Sequence, residues 1–348
     1  MEFSSKNKDL VAIKYFLGFI SLVLFVIILK ELRTIFLPIC SALLLYFLVN
    51  GLSKILIKKN IPRVIALFIL LVVISGLIYF FVALVFSGVG SFVTRFPQYS
   101  EKLSEIWTGM FKNIELPFKN LEEFMADLDW SKLVNQITSF LSNTFESFAG
   151  FFGKFLLVII FLIFMLGGRD SLMNRIKKSF RPLRATHIIG MIDKIENHVQ
   201  HYLVIKILVS LLTALVSWVI LMIGGFNIVV FSVVLIFLLN FIPNFGSILA
   251  TAFPIFLGLI DYGFSVRVIL VASGLILTQF IIGNFLEPKI TGVDLDISPI
   301  IILVSLIFWG YVWGVVGMVL AVPLTSTIKL IFAEIEGLKP IASLISSR

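Results

Sequence analysis

Apolar residues run along this chain in blocks too long for the skin of a soluble fold, with the charged residues gathered between the blocks. Charge-free stretches are bracketed by Lys14 and Lys30, by Arg33 and Lys54, and by Arg63 and Arg95. A fourth runs from Phe148 to Gly168, interrupted only by Lys154 near its start, where a long aliphatic stem lets the ammonium reach the interface. Since roughly 20 apolar residues at 1.5 Å rise cross about 30 Å of hydrocarbon, each stretch predicts a spanning helix. Then Ile207 to Ile260 passes 54 residues without Asp, Glu, Lys, Arg or His. Gly224-Gly225-Phe226-Asn227 is its natural break, predicting a span over 203–223 and a second apolar element over 227–260. The second element is too long for one straight crossing and carries Pro243-Asn244-Phe245-Gly246 in its middle. Runs over 268–285 and 298–322 complete eight hydrophobic elements.

The expected fold class is therefore all-α: a polytopic integral membrane protein with one helix broken or re-entrant near Pro243, plus an external amphipathic helical segment. The layout divides into a three-span region over 1–94, the external segment over 95–147, a fourth span over 148–168, a basic connector over 169–200, a C-terminal core over 201–330 and a tail over 331–348.

Composition agrees with that class. The chain is 59% hydrophobic and 14% charged, against about 25% charged in soluble domains, so it has too few charges to clothe a water-facing surface. The net charge of +8 admits nucleic acid or anionic lipid as a partner. The basic residues cluster beside apolar runs, which selects membrane lipid. The 51–63 loop holds Lys54, Lys58, Lys59 and Arg63 without an acid, and 169–200 holds seven basic residues against three acidic ones. Segment 91–147 is net acidic, with Glu101, Glu105, Glu115, Glu122, Glu123, Asp127, Asp129 and Glu146. By the positive-inside rule the N-terminus, 51–63 and 169–200 face the cytoplasm and 91–147 faces out. The 286–296 loop also reads as external, and the C-terminus as cytoplasmic if 227–260 crosses once; a re-entrant hairpin there inverts everything after it. The single crossing is the favoured expectation. No small-x-small cleavage site follows the first apolar run, so it reads as a retained span rather than a signal peptide.

Between Leu121 and Phe148 apolar residues recur three or four apart among the acids, an amphipathic pattern that suits either a surface-lying connector or a docking platform between protomers.

Candidate chemistry concentrates in the C-terminal half. In a bilayer, non-helical backbone survives only inside protein or against a wet cavity, and broken helices use such backbone to bind solutes. Asn240-Phe241-Ile242-Pro243-Asn244-Phe245-Gly246 has that character: Pro243 removes a donor, Gly246 permits a tight conformation, and Asn240 and Asn244 offer amide donors and acceptors. A plain proline kink is the competing reading. Further on, Gln279, Gly283 and Glu287 fall on one helical face with Asn284 nearby, and Pro288 predicts that the helix ends at Glu287. Glu287 is either a functional ionisable group or an exposed partner of Lys289. Gly310, Gly314 and Gly317, followed by Pro323, predict close helix packing, with Trp309 and Trp313 sharing a face. His187, His198 and His201 lack metal-site spacing, so no metal is expected. Cys40 reads as a buried inert thiol. There is no P-loop, no G-x-S-x-G elbow and no voltage-sensor or filter motif, so neither an enzyme nor a bound cofactor is expected.

Asn240 through Gly246 with Pro254, then Gln279 to Pro288, Ile297-Ser298-Pro299, Trp309-Gly310, Gly314, Gly317 and Ala321-Val322-Pro323-Leu324 resemble, in that order, the closing half of the autoinducer-2 exporter family, the PerM-like permeases. The resemblance covers about 200–330. It implies a bacterial inner-membrane protein and a homo-oligomer, with a pentamer among the expectations. It also implies transport: some members are associated with export of autoinducer-2 and others look like sodium/proton antiporters. The expectation is a secondary transporter of a small polar solute, with Asn240, Pro243, Asn244, Gly246, Gln279, Asn284, Glu287 and Pro288 along its path. The alternatives are a sodium/proton antiporter that titrates at Glu287 and a membrane scaffold without transport.

Overall fold

The computed structural model describes residues 16–18, 20, 21, 23–111, 139, 155–242, 245–291 and 296–347. Among these the secondary structure is helical throughout. After helical residues 23–31 come α1 (Arg33–Lys58), α2 (Arg63–Phe111), α3 (Phe155–Ser179), α4 (Pro182–Ile223), α5 (Val229–Leu239), α6 (Phe245–Tyr262), α7 (Val266–Ile281), a π-helical turn (Ile282–Leu286), α8 (Glu287–Thr291), α9 (Pro299–Glu334), a 3-10 turn (Glu336–Leu338) and α10 (Lys339–Ile345). Six of the described helices are long and apolar enough to span a bilayer: α1, α2, α3, α4, the continuous Val266–Ile290 and the Val316–Glu334 part of α9. The helical segment expected outside the membrane lies beyond the described residues over 112–138 and 140–154.

The chain forms two compact units, one of residues 1–47, 154–199 and 295–348, the other of 48–153 and 200–294. In the second unit α4 and α7 lie antiparallel. Gly224 packs on Val271 and Ile220 on Gly274 at one end, while Val209 packs with Ile282 nearer the other. Everything between them must therefore begin and end on the same side. It does: Asn227 Nδ2 donates to Asp261 Oδ2 over 3.2 Å, the Tyr262 hydroxyl donates to the Gly225 carbonyl over 3.0 Å, and the Phe226 and Tyr262 rings are 5.5 Å apart. Residues 227–262 are a helical hairpin, which corrects the favoured expectation of a single crossing. The cause is physical. At 11 residues α5 spans only about 16 Å, and Asp261 is tied down by Tyr99 (2.9 Å) and Lys102 (2.8 Å) of α2. Against α2 the hairpin packs aromatic rings, Phe92 stacking on Phe231 at 4.5 Å with Phe253 edge-on to Phe231 at 5.5 Å. Lipid offers no hydrophobic drive between helices, so such fitted contacts carry the association.

The first unit holds a second hairpin. A straight helix would put Trp309 and Thr325 about 24 Å apart, yet Trp309 Nε1 donates to Thr325 Oγ1 over 3.4 Å. The fold-back is at Gly314, whose φ of 67° and ψ of −149° are open to glycine and strained for other residues. The expected single run over 298–322 is thus two arms of α9, because the chain reverses before the run is complete. Gly310 faces Met318 and Gly317 sits on the Trp309 carbonyl, so the small residues admit the hairpin's own other arm. Pro323 is fully buried, its carbonyl accepting from Ser326 (3.0 Å) and Thr327 (2.8 Å). The base of this hairpin is closed by Asp296. Its carboxylate accepts from Lys329 (2.8 Å), Ser346 and Ser347 (2.9 Å), and the Ser298 N–H donates to the Ile345 carbonyl over 2.9 Å. The Lys329 ammonium, helped by the two serines, holds the Asp296 carboxyl well below the usual carboxylate range. Elsewhere in this unit Arg169 binds Glu196 and Asp193, both at 2.9 Å, and the Tyr46 hydroxyl donates to Glu196 over 2.8 Å.

Candidate functional site

In the second unit the buried face of α4 is polar. Lys206, Ser210, Thr213 and Ser217 are spaced by four, three and four residues, one stripe along a helix, and are 5%, 0%, 1% and 2% exposed. A stripe of this kind in an otherwise apolar helix needs partners, since each unpaired polar group away from water costs several kcal/mol. Thr213 donates to the Val209 carbonyl over 2.8 Å, which satisfies its proton and leaves oxygen lone pairs on the face. Ser210 is met by Asn240, 4% exposed, whose Nδ2 donates to Ser210 Oγ over 3.1 Å. Gln279 Nε2 reaches Asn240 Oδ1 at 3.5 Å. Three elements thus converge: α4, the tip of the α5–α6 hairpin, and α7.

Asn240 is there because α5 stops there. Its N–H keeps the helical pattern, donating to Ile236 O over 3.0 Å, but the Phe241 and Ile242 N–H groups bond three residues back, to Leu238 (3.2 Å) and Leu239 (2.8 Å). The tip therefore brings together a helix C-terminus, which carries partial negative charge, and the helix N-terminus of α6, which carries partial positive charge. Gly246 is where the arms touch: a Cβ on it would lie 1.8 Å from the Leu239 carbonyl oxygen. Pro243 and Asn244 lie outside the described residues.

At the far end of the stripe, Lys206 Nζ meets Glu287 Oε1 at 2.5 Å. The helix does not end at Glu287 as Pro288 suggested; it continues to Thr291, and the π-helical turn just before Pro288 is the kind of local adjustment that accommodates a proline inside a membrane helix. Asn284 is exposed on the π-helical turn and Pro288 is exposed beyond it. Lys206, Ser210, Thr213 and Ser217 are not among the residues predicted from the sequence. Their four-three-four spacing was the available signal.

The sequence profile described as AI-2E family transporter matches residues 19–337. The chain belongs to that family. Among its relatives, the AI-2 transport protein TqsA of Escherichia coli K12 is 30% identical over 323 residues, covering 90% of this chain and 89% of TqsA. A relative from Haemophilus influenzae, assigned to transport without a named solute, is 30% identical over 321 residues, covering 90% of each chain. One from Borreliella burgdorferi, named in the same general way, is 30% identical over 311 residues, covering 89% of this chain and 84% of its own. As an AI-2E family member, this is a multi-pass membrane transporter.

Proposed function

We propose that this chain is a secondary permease for a small, neutral, polar solute of the autoinducer-2 type, and that the solute passes along the buried polar face of α4 at Ser210, Asn240 and Gln279. The observation that supports this most directly is the convergence of two carboxamides and a hydroxyl from three elements inside a largely apolar bundle. Carboxamides both donate and accept, which suits hydroxyl- and carbonyl-rich solutes. The interrupted hairpin adds helix-end groups of both signs at the same depth. Asn244, Asn284 and Pro243 belong to this proposed path by position. Transport rather than catalysis is the whole activity in this reading, and no cofactor takes part.

The name of TqsA supports the solute class, as the transport activity of a relative. In the proposed orientation, set by basic residues, the N-terminus and 169–200 face the cytoplasm of a bacterial inner membrane. In that orientation α8 is proposed to lie on the cytoplasmic side, since the hairpin returns to the side it left. The arms of α9 return to the side they left, so the C-terminus is cytoplasmic as well. A homo-oligomer, a pentamer included, remains part of the reading.

The test is uptake of labelled autoinducer-2 into proteoliposomes. Asn240→Leu is expected to cut initial flux at least about tenfold, since it strips partners from both Ser210 and Gln279. Flux equal to wild type would remove the trio from the pathway. The alternative, sodium/proton antiport, makes Glu287 the titrating group, and its close pairing with Lys206 weighs against it. In that reading Glu287→Gln abolishes pH-gradient-driven sodium efflux.

A further inference from the structure

The Lys206–Glu287 pair lies on the same two helices as the proposed solute site. Lys206 is four residues, one turn, before Ser210 on α4. Glu287 comes eight residues after Gln279, and in unbroken α-helix that leaves it about 80° round from the Gln279 face. The π-helical turn between them, Ile282–Leu286, adds one residue to the turn and rotates the succeeding residues back by about 100°. Glu287 is thereby brought to within about 20° of the Gln279 face and onto Lys206. Local helix irregularity is needed for this contact; regular helix would miss it.

The ammonium itself is enclosed. Lys206 has a 6% exposed side chain and Glu287 a 25% exposed one. Ile205, Val209 and Ile282 form a buried cluster beside the pair, with Leu286 packed against them. Buried lysines are rare unless paired, and here the ammonium is paired with the Glu287 carboxylate. Carriers that couple to sodium hold the ion on freed carbonyl oxygens and helix C-terminal ends beside a broken-helix solute site, and carboxylates within the membrane mark ion pathways. Here the position beside the carboxylate is filled by Nζ of Lys206.

We propose that Lys206 is a tethered stand-in for a coupling cation: its ammonium occupies the position beside Glu287 that sodium would take, so that this transporter does not bind sodium at Glu287. The proposal rests on the reading of Ser210, Asn240 and Gln279 as the solute site, but its test does not use the solute. Sodium as the chloride, against choline chloride, is the probe. It is read by the thermal midpoint of the purified full-length protein and by retention of radiolabelled sodium.

Wild type is expected to show no sodium-specific shift. Lys206→Ala, with Lys206→Ser as the milder variant that leaves an oxygen in the vacated space, exposes the Glu287 carboxylate to the ion. Each is expected to gain a midpoint rise of about 3 °C at about 150 mM sodium, with saturable retention of label. The double variant Lys206→Ala/Glu287→Gln loses both. A Glu287-dependent sodium response in wild type overturns the proposal, as does a folded Lys206→Ser protein indifferent to sodium. Absence of autoinducer-2 flux would count against the solute reading alone and leave this result standing.

Discussion

Gly246→Ala sets two effects of opposite sign against each other, and the structure decides between them. Gly246 is the second residue of α6, and replacing helical glycine by alanine ordinarily gains about 1 kcal/mol. The new methyl, however, would lie 1.8 Å from the Leu239 carbonyl oxygen and 2.9 Å from Ile242 Cβ. The first of these is backbone, with no rotamer to yield. The hairpin arms would have to part, and overpacking of this kind costs about 1–3 kcal/mol, sometimes more. Because the closest atom is main chain, the upper part of that range applies, and the net effect is a loss of about 2 kcal/mol. Gly76, inside α2 with nothing within 4 Å of an added Cβ, is the matched control: Gly76→Ala meets no clash and should hold or raise stability. The assay is the thermal midpoint of each detergent-purified variant, with a fall of about 4 °C expected for Gly246→Ala. An unchanged or higher midpoint for Gly246→Ala would mean that the arms do not touch there, and the hairpin geometry would be refuted.

Three further outcomes are expected. Arg169→Met removes the cation paired with the 6% exposed Glu196, a loss of about 3 kcal/mol, seen as a lower thermal midpoint that Arg169→Lys partly restores. Trp313→Phe removes the 3.1 Å bond to the Leu29 carbonyl and should cost about 1 kcal/mol by the same measurement. Asp296 has its carboxyl lowered in the fold from the ordinary value of 3.8, so its contribution is present above that pH and is lost only as the pH falls through the lower folded value. Protease resistance of the C-terminal residues should therefore hold from neutral pH down to about 4 and weaken progressively as the pH falls further towards the lowered folded value, whereas in Asp296→Asn it should be weakened already at neutral pH.

Hydropathy carried the membrane-spanning character of this chain, because a 20-residue apolar run has few other uses. It also marked the interruption near Pro243, but it read 298–322 as one run and its glycines as packing against another helix, and so missed the reversal at Gly314. What it could not carry was direction. A run such as 227–260 crosses or returns according to whether its ends find each other, and that turns on Asn227, Asp261, Tyr99 and Lys102, which are up to 162 residues apart in sequence. The same holds at the site. Asn240 and Gln279 stood out as polar residues in apolar surroundings, whereas Ser210 and Thr213 are common enough in membrane helices to pass unnoticed until a partner is seen. Glu287 was singled out for its charge, but its contact with Lys206 depends on a π-helical turn, and nothing in Ile282-Gly283-Asn284-Phe285-Leu286 announces one.

Two reversals leave the C-terminus where one simple crossing would have put it, so its location cannot tell the two topologies apart. The segment that can is the one between the hairpins. If 227–260 crossed once, Phe264 would emerge on the same side as the start of α4 and Lys289 on the other. With the hairpin, α4 alone crosses between Leu183 and Gly225, and the Val266–Ile290 helix crosses back. Phe264, 94% exposed, then lies opposite Leu183, and Lys289 lies with Leu183. Single-cysteine variants at these three positions, in a Cys40→Ala background that removes the chain's one thiol, can be labelled with a membrane-impermeant maleimide in right-side-out and inverted vesicles. The hairpin requires Leu183→Cys and Lys289→Cys to react in the same vesicles and Phe264→Cys in the opposite ones. Phe264→Cys reacting together with Leu183→Cys would restore the single crossing. It would also part α4 from α7, and with them Lys206 from Glu287 and Ser210 from Gln279.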